Sequence, residues 1–152
     1  TSMFMHGSFW HLFGNMLFLW IFGNNIEDAL GRFRFLIFYF LCGIAASLAH
    51  VIFNFNSTNP VIGASGAVSG VMGAYLILYP KAKVRTFVLL FFIITFIDIP
   101  AAAFLIVWFI FQFFYAGQTS GIAWIAHVGG FIAGLILIKK FKKKQPRIEL
   151  IQ

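Results

Sequence analysis

Ser65 and His127 are the side chains of this 152-residue chain best suited to chemistry, and each opens a glycine-rich apolar stretch. Ser65 stands in Gly63-Ala64-Ser65-Gly66, ahead of an apolar run from Ala67 to Tyr79. His127 stands in Ala126-His127-Val128-Gly129-Gly130, ahead of a run to Ile138. A hydroxyl and an imidazole are the two groups that make an acyl-transfer nucleophile, the ring nitrogen taking the proton as the oxygen attacks. Polar and ionisable groups are costly inside lipid, so those within apolar spans point to function. His11 and Asn15 add hydrogen-bond donors four residues apart, hence on one helical face. An oxyanion formed at Ser65 has four candidate donors, the backbone at Ala64 and Ser65 and the side chains of His11 and Asn15. A helix N-terminal turn favours such a charge through its unpaired N–H groups and dipole. Each donor of this kind is typically worth about 3–4 kcal/mol of transition-state stabilisation.

The elements that must position these groups are membrane helices. The chain is 61% hydrophobic and 10% charged, with a mean hydropathy of +0.94. Soluble domains run about 45–50% apolar and about 25% charged, so a polytopic helical bundle is the expected class. Ten-residue segments of alternating polarity are absent, which argues against a β-barrel. The lone Cys42 excludes an internal disulfide. No Cys/His cluster has metal-ligand spacing and no glycine-rich loop resembles a phosphate cradle, so neither a metal nor a cofactor is implied.

A helix needs about 20 apolar residues to cross a bilayer core of about 30 Å. Reading between turn-forming residues predicts five spans, near 9–25, 33–54, 65–79, 101–116 and 122–140. Gly23-Asn24-Asn25 is expected to end the first, and Pro80 the third. The apolar stretch from Phe87 to Ile97 imitates a sixth span, and charge decides against it. The eleven basic residues fall in three clusters: Arg32/Arg34, then Lys81/Lys83/Arg85, then Lys139 to Arg147. Five spans put all three on one side, as the positive-inside rule requires of the cytoplasmic face, with a basic tail over 139–152. The opposite loops (1–8, 55–64, 117–121) then hold no Lys or Arg. Residues 84–99 are expected to form an interfacial or partly re-entrant loop. His11, Ser65 and His127 then share one depth in the outer half of the bilayer. The net charge of +7 belongs to headgroup-facing clusters and not to a nucleic-acid surface.

Gly66, Gly70 and Gly73 form a small-residue stripe on one helix, and Gly130 and Gly134 a second. Such stripes let spans approach closely, as a Ser–His hydrogen bond between two helices requires. Together, His6-Gly7-x-x-x-His11-x-x-x-Asn15, then Gly63-Ala64-Ser65-Gly66, then Ala126-His127-x-x-Gly130-x-x-x-Gly134 resemble the rhomboid intramembrane serine proteases, in the family's order, over residues 3 to 140. The resemblance implies a rhomboid-like helical bundle, a dyad with Ser65 as nucleophile and His127 as general base, and His11 and Asn15 lining the oxyanion site. It also implies transmembrane proteins as substrates, entering laterally from lipid to a cavity open to the non-cytoplasmic side. The family's core has six spans, so the first is expected to be absent from this chain, whose start reads as the tail of a loop.

Ser69 stands where the family often has an aromatic beneath the histidine, so that support is expected elsewhere, with Tyr75 and Phe131 as candidates. No acidic third member is evident, and His127 is expected to be oriented by packing alone. Trp108 is open between lining the gap of the first and fourth spans, the substrate access that the resemblance implies, and anchoring in lipid. His6 is read as ordering the first loop, His50 as interfacial, and Glu27 and Asp28 as pairing with Arg32 or capping the second helix. A non-catalytic relative that binds transmembrane clients would be expected to lose the Ser or the His. A transporter using His11, His50 and His127 would want ionisable groups at successive depths. The absence of a visible organelle-targeting signal points to a bacterial plasma membrane.

Overall fold

The structure, a computed structural model, describes residues 1–56, 60–90, 93–114 and 123–142. A short 3-10 turn (Ser2–Phe4) precedes α1 (Phe9–Leu30), α2 (Arg32–Phe53) and α3 (Ser65–Leu78). A hairpin of β1 (Lys83–Leu90) and β2 (Ile93–Pro100) follows, then α4 (Ala101–Phe114) and α5 (Trp124–Phe141). These are the five expected helices, in an integral-membrane bundle.

Ser8 starts α1 by accepting the His11 N–H on its Oγ at 3.1 Å. Contrary to expectation, Gly23-Asn24-Asn25 does not end that helix. Gly23 is buried against Leu19 and Phe35, and Ile26 and Leu30 beyond it are wholly buried. Close packing of these two side chains in the bundle offsets the about 1 kcal/mol lost at a helical glycine. The stop falls at Gly31, whose φ of 84° suits a residue without a Cβ. Glu27 pairs with Arg32 across the junction at 3.5 Å.

The 22 residues of α2 and 18 of α5 are long and apolar enough to cross a membrane. Their outer faces match, with Phe33 82% and Phe53 74% exposed, a surface suited to lipid. The 14-residue α3 is different. It spans only about 21 Å, and every residue from Gly66 to Tyr75 is buried. It is the bundle's central post, packed against α1, α2, α4 and α5.

Successive helices alternate in direction. The Tyr79 hydroxyl donates to Asn25 O at 3.2 Å, and the Phe38 and Phe141 rings meet at 5.7 Å, tying the basic ends of α1, α2, α3 and α5 together. Arg32, Arg34, Lys81, Lys83, Arg85, Lys139, Lys140 and Lys142 therefore share one end of the bundle. Lys143, Lys144 and Arg147, like the predicted loop 117–121, lie outside the described residues.

Residues 84–99 are not the expected loop. They form an antiparallel hairpin in which Phe87 faces Phe96 and Arg85 faces Asp98. Val84, Thr86 and Val88 are half-buried while Lys83, Arg85 and Phe87 are exposed, the two-residue period of a strand. The conclusion that no sixth helix crosses here stands.

The glycine stripes form the seam between α3 and α5. A Cβ at Gly130 would strike the Gly66 carbonyl, one at Gly134 the Gly70 carbonyl, and one at Gly73 the Phe131 carbonyl. On its other flank, Gly70 meets Cys42 of α2 and Gly66 meets Ala46. The helices thus touch backbone to backbone. Gly134→Ala is expected to lower stability in detergent by about 1–3 kcal/mol, read as a fall in Tm. Gly14→Ala, where a Cβ meets nothing within 4 Å, is the matched control and should leave Tm unchanged or slightly raised.

Candidate active site

Three helical N-terminal turns converge at the end of the bundle opposite the basic residues. His11 is the third residue of α1, Ser65 the first of α3 and His127 the fourth of α5. Gln112, in the last turn of the oppositely directed α4, reaches the same level. The Ser65 Oγ and His127 Nε2 lie 2.8 Å apart. The expected pair from two separate spans is therefore in direct hydrogen-bond contact, both side chains half-buried.

The approach to Ser65 is shaped by Gly63, at φ 116°. A Cβ there would lie 2.7 Å from the His11 ring, so the imidazole rests against bare backbone two residues before the serine. Gly63 N–H donates to Ser2 O at 3.0 Å, holding the segment before α3 to the chain's first turn. His6 stacks edge-on to His11, ring centroids 5.1 Å apart, and its Nε2 accepts the Ala64 N–H at 3.4 Å. His6 thus orders this segment, as expected. Ala64 departs from expectation: its N–H is directed at His6 and not left free for an oxyanion. Asn15 is buried and donates one Nδ2 hydrogen to His11 O at 3.0 Å, leaving its second uncommitted by that bond. Ser69 turns its hydroxyl back onto Ser65 O at 2.6 Å.

The support of His127 differs from expectation in two respects. Tyr75 packs on Phe22 and Tyr79, centroids 5.0 and 5.1 Å away, and takes no part. The ring beside the histidine is Trp108, at 6.0 Å and tilted 36°, itself backed by Phe131 at 6.0 Å. Trp108 is therefore part of the histidine's packing, with its ring half-buried. Between α1 and α4 the rings in contact are Phe18, Phe22 and Phe104, at 6.1–6.3 Å. Packing is also not alone: Gln112 Oε1 lies 2.8 Å from His127 Nδ1. Sequence reasoning missed this residue, though an amide in an apolar span carries the same signal that singled out Ser65.

The remaining polar groups stay apart. His50 sits in the last turn of α2, with its Nδ1 unpartnered among the described residues, beside a cavity of about 280 Å³ lined also by Ser47, Asn54 and Phe55. Asp98 is engaged with Arg85 at 3.4 Å on the hairpin. The arrangement around Ser65 can thus hold a nucleophilic oxygen, a proton acceptor and several N–H donors together.

The Rhomboid domain family matches residues 1–144. Rhomboid protein 1, mitochondrial, of Saccharomyces cerevisiae is 34% identical over 158 positions, covering 95% of this chain and 42% of that protein. Rhomboid protease GluP of Bacillus subtilis is 41% identical over 76 positions, covering 50% of this chain and 14% of that protein. Presenilin-associated rhomboid-like protein A, mitochondrial, of Danio rerio is 34% identical over 84 positions, covering 54% and 22% respectively. The chain spans less than half the length of each of these relatives. Two of the three bear mitochondrial names, so the expectation of a bacterial plasma membrane is not supported. A family match over nearly the whole chain, on a helical bundle that carries the expected residues, makes this chain a member of the rhomboid family.

Proposed function

We propose that the chain is an intramembrane serine endopeptidase that cleaves transmembrane segments of other membrane proteins. The 2.8 Å contact between Ser65 Oγ and His127 Nε2 carries this reading. A relative named as a rhomboid protease, 41% identical over its matched part, supports it.

The chemistry follows from the atoms in contact. His127 Nε2 takes the proton of Ser65 Oγ as that oxygen bonds to the scissile carbonyl carbon. The carbonyl oxygen becomes an oxyanion, accepting from N–H groups in the first turn of α3, from the His11 ring and from the second Nδ2 hydrogen of Asn15. Collapse breaks the C–N bond, and the proton held on His127 passes to the leaving amine. Water, deprotonated by the same Nε2, then attacks the acyl-serine; the carboxyl product leaves and the hydroxyl is restored. The Ala64 N–H, engaged by His6, is not counted among the donors. No step calls for a metal or a cofactor.

Two measurements test this. The chain in proteoliposomes should react with a fluorophosphonate probe and cleave a reporter transmembrane substrate. Ser65→Ala and His127→Ala should each lower cleavage by about 10⁴-fold or more, with helicity and Tm retained. Asn15→Ala should lower kcat by about 10²-fold without abolishing it. Labelling and cleavage that persist in Ser65→Ala would refute the proposal. A wild-type chain that captures transmembrane peptides yet neither labels nor cleaves them would favour the non-catalytic alternative.

A further inference from the structure

The far side of the histidine ring holds a group whose chemistry the dyad leaves unused. Gln112 is 4% exposed, on the fourth helix, with its amide between two fixed partners. Its Nε2 donates to Trp108 O at 3.0 Å, and its Oε1 faces His127 Nδ1 at 2.8 Å. The orientation of the amide follows from the first contact. A backbone carbonyl only accepts, so the NH₂ edge must face Trp108, and the oxygen edge must face the histidine.

A carboxamide oxygen also only accepts. At 2.8 Å, Nδ1 must therefore carry a proton, since two lone pairs would otherwise oppose each other in a buried site. In a neutral imidazole, a proton on Nδ1 leaves the lone pair on Nε2. That lone pair points at Ser65 Oγ, where the proposed reaction needs a base. The opposite tautomer would set a donor, Nε2–H, against the serine and leave Gln112 Oε1 unpaired.

Resting on the dyad reading above, we infer that Gln112 is a positioning residue that fixes the tautomer and ring plane of His127 for proton removal from Ser65. The group does this without charge. A buried carboxylate would supply a stronger acceptor, but an uncompensated charge here carries a desolvation cost of several kcal/mol. The amide retains the direction of the bond and omits that cost. No proton leaves Nδ1 at any point. When His127 holds the serine proton on Nε2, the bond from Nδ1–H to Oε1 becomes charge-assisted and strengthens. Trp108 ties both functions together, its carbonyl orienting the amide and its ring flanking the imidazole.

The experiment joins a spectroscopic readout to kinetics. In the wild-type chain with ¹⁵N-labelled histidine, His127 is assigned by difference from His127→Ala. Its ring proton should couple to Nδ1. Gln112→Met, which keeps the length and removes the acceptor, should lower kcat on a reporter substrate by about 10–100-fold, with KM within twofold and the Nδ1–H signal lost or mixed. Gln112→Glu, as the neutral acid, keeps a hydrogen for Trp108 O and an acceptor for Nδ1–H, and should recover most of the rate. A wild-type His127 protonated on Nε2 overturns the inference without any variant having to fold. So does a Gln112→Met enzyme with unchanged kcat, or equal losses in the Met and Glu variants, which would mark packing alone. Absence of Ser65-dependent fluorophosphonate labelling would defeat the dyad itself. Intact labelling that is indifferent to Gln112 defeats only this inference.

Discussion

The backbone contact between α3 and α5 is the constraint on which the rest of the molecule depends. In lipid, helices gain little from hiding apolar side chains from one another, and association rests on close packing and interhelical hydrogen bonds. Gly66 and Gly70 face Gly130 and Gly134 carbonyl against Cα, so the two axes lie as near as helices can. The Ser65–His127 pair sits one turn or less from this seam. Ser65 directly precedes Gly66, and His127 precedes Gly130 by three residues. A serine side chain is short, and its oxygen meets the imidazole only because the helices cannot stand apart at that level. One stripe thus serves packing and, on the proposed reading, chemistry together.

The interior polar groups obey a second rule. Asn15 donates to His11 O, Ser47 to Gly43 O, Ser69 to Ser65 O and Gln112 to Trp108 O, each returning a hydrogen to the carbonyl four residues back. Lipid offers no alternative partner, and a helical carbonyl retains a lone pair for such a bond. What remains after that return is available between helices: a second amide hydrogen on Asn15, and the oxygen of Gln112. Formal charge is kept elsewhere. The ion pairs Glu27–Arg32 and Arg85–Asp98 lie at the basic end, and both are exposed enough to contribute little to stability. The site is assembled from neutral donors and acceptors.

Much of this was legible in the residues. Hydropathy and the clustering of cations located five helices and excluded a sixth, because both effects sum over many positions. Ser65 and His127 stood out because each is a polar group whose cost in lipid demands a reason. Most of the misses share a cause: packing against another helix. Gly23 stays helical because it and the residues beyond it, Ile26 and Leu30, are buried in the bundle. Tyr75 packs on Phe22 of α1, and the ring beside the histidine comes from α4. Gln112 lies in a phenylalanine-rich stretch with no periodic partner, and only the meeting of α4 and α5 reveals what it faces. The hairpin was legible in principle. Lys83 and Arg85 alternate with Val84 and Thr86, a strand's period outweighed in the reading by the apolar run that follows.

The length of α3 sets how far Ser65 stands from the basic end of the bundle. Its C-terminal end is held to the last turns of α1 by the bond from Tyr79 to Asn25. Fourteen residues rise about 21 Å, less than a bilayer core of about 30 Å. On the proposed reading, a substrate peptide bond brought to Ser65 in a helix has its carbonyl bonded to the N–H four residues on and covered by side chains. The proposed attack by Ser65 therefore requires a local stretch free of helical hydrogen bonds, whose orphaned N–H and C=O groups need partners. The first turn of α3 and the rings of His6 and His11 are among the polar groups at the level of Ser65. On the proposed reading, the donors that would stabilise an oxyanion are thus also placed to meet an unwound backbone, so that unwinding and reaction would draw on one set of hydrogen bonds.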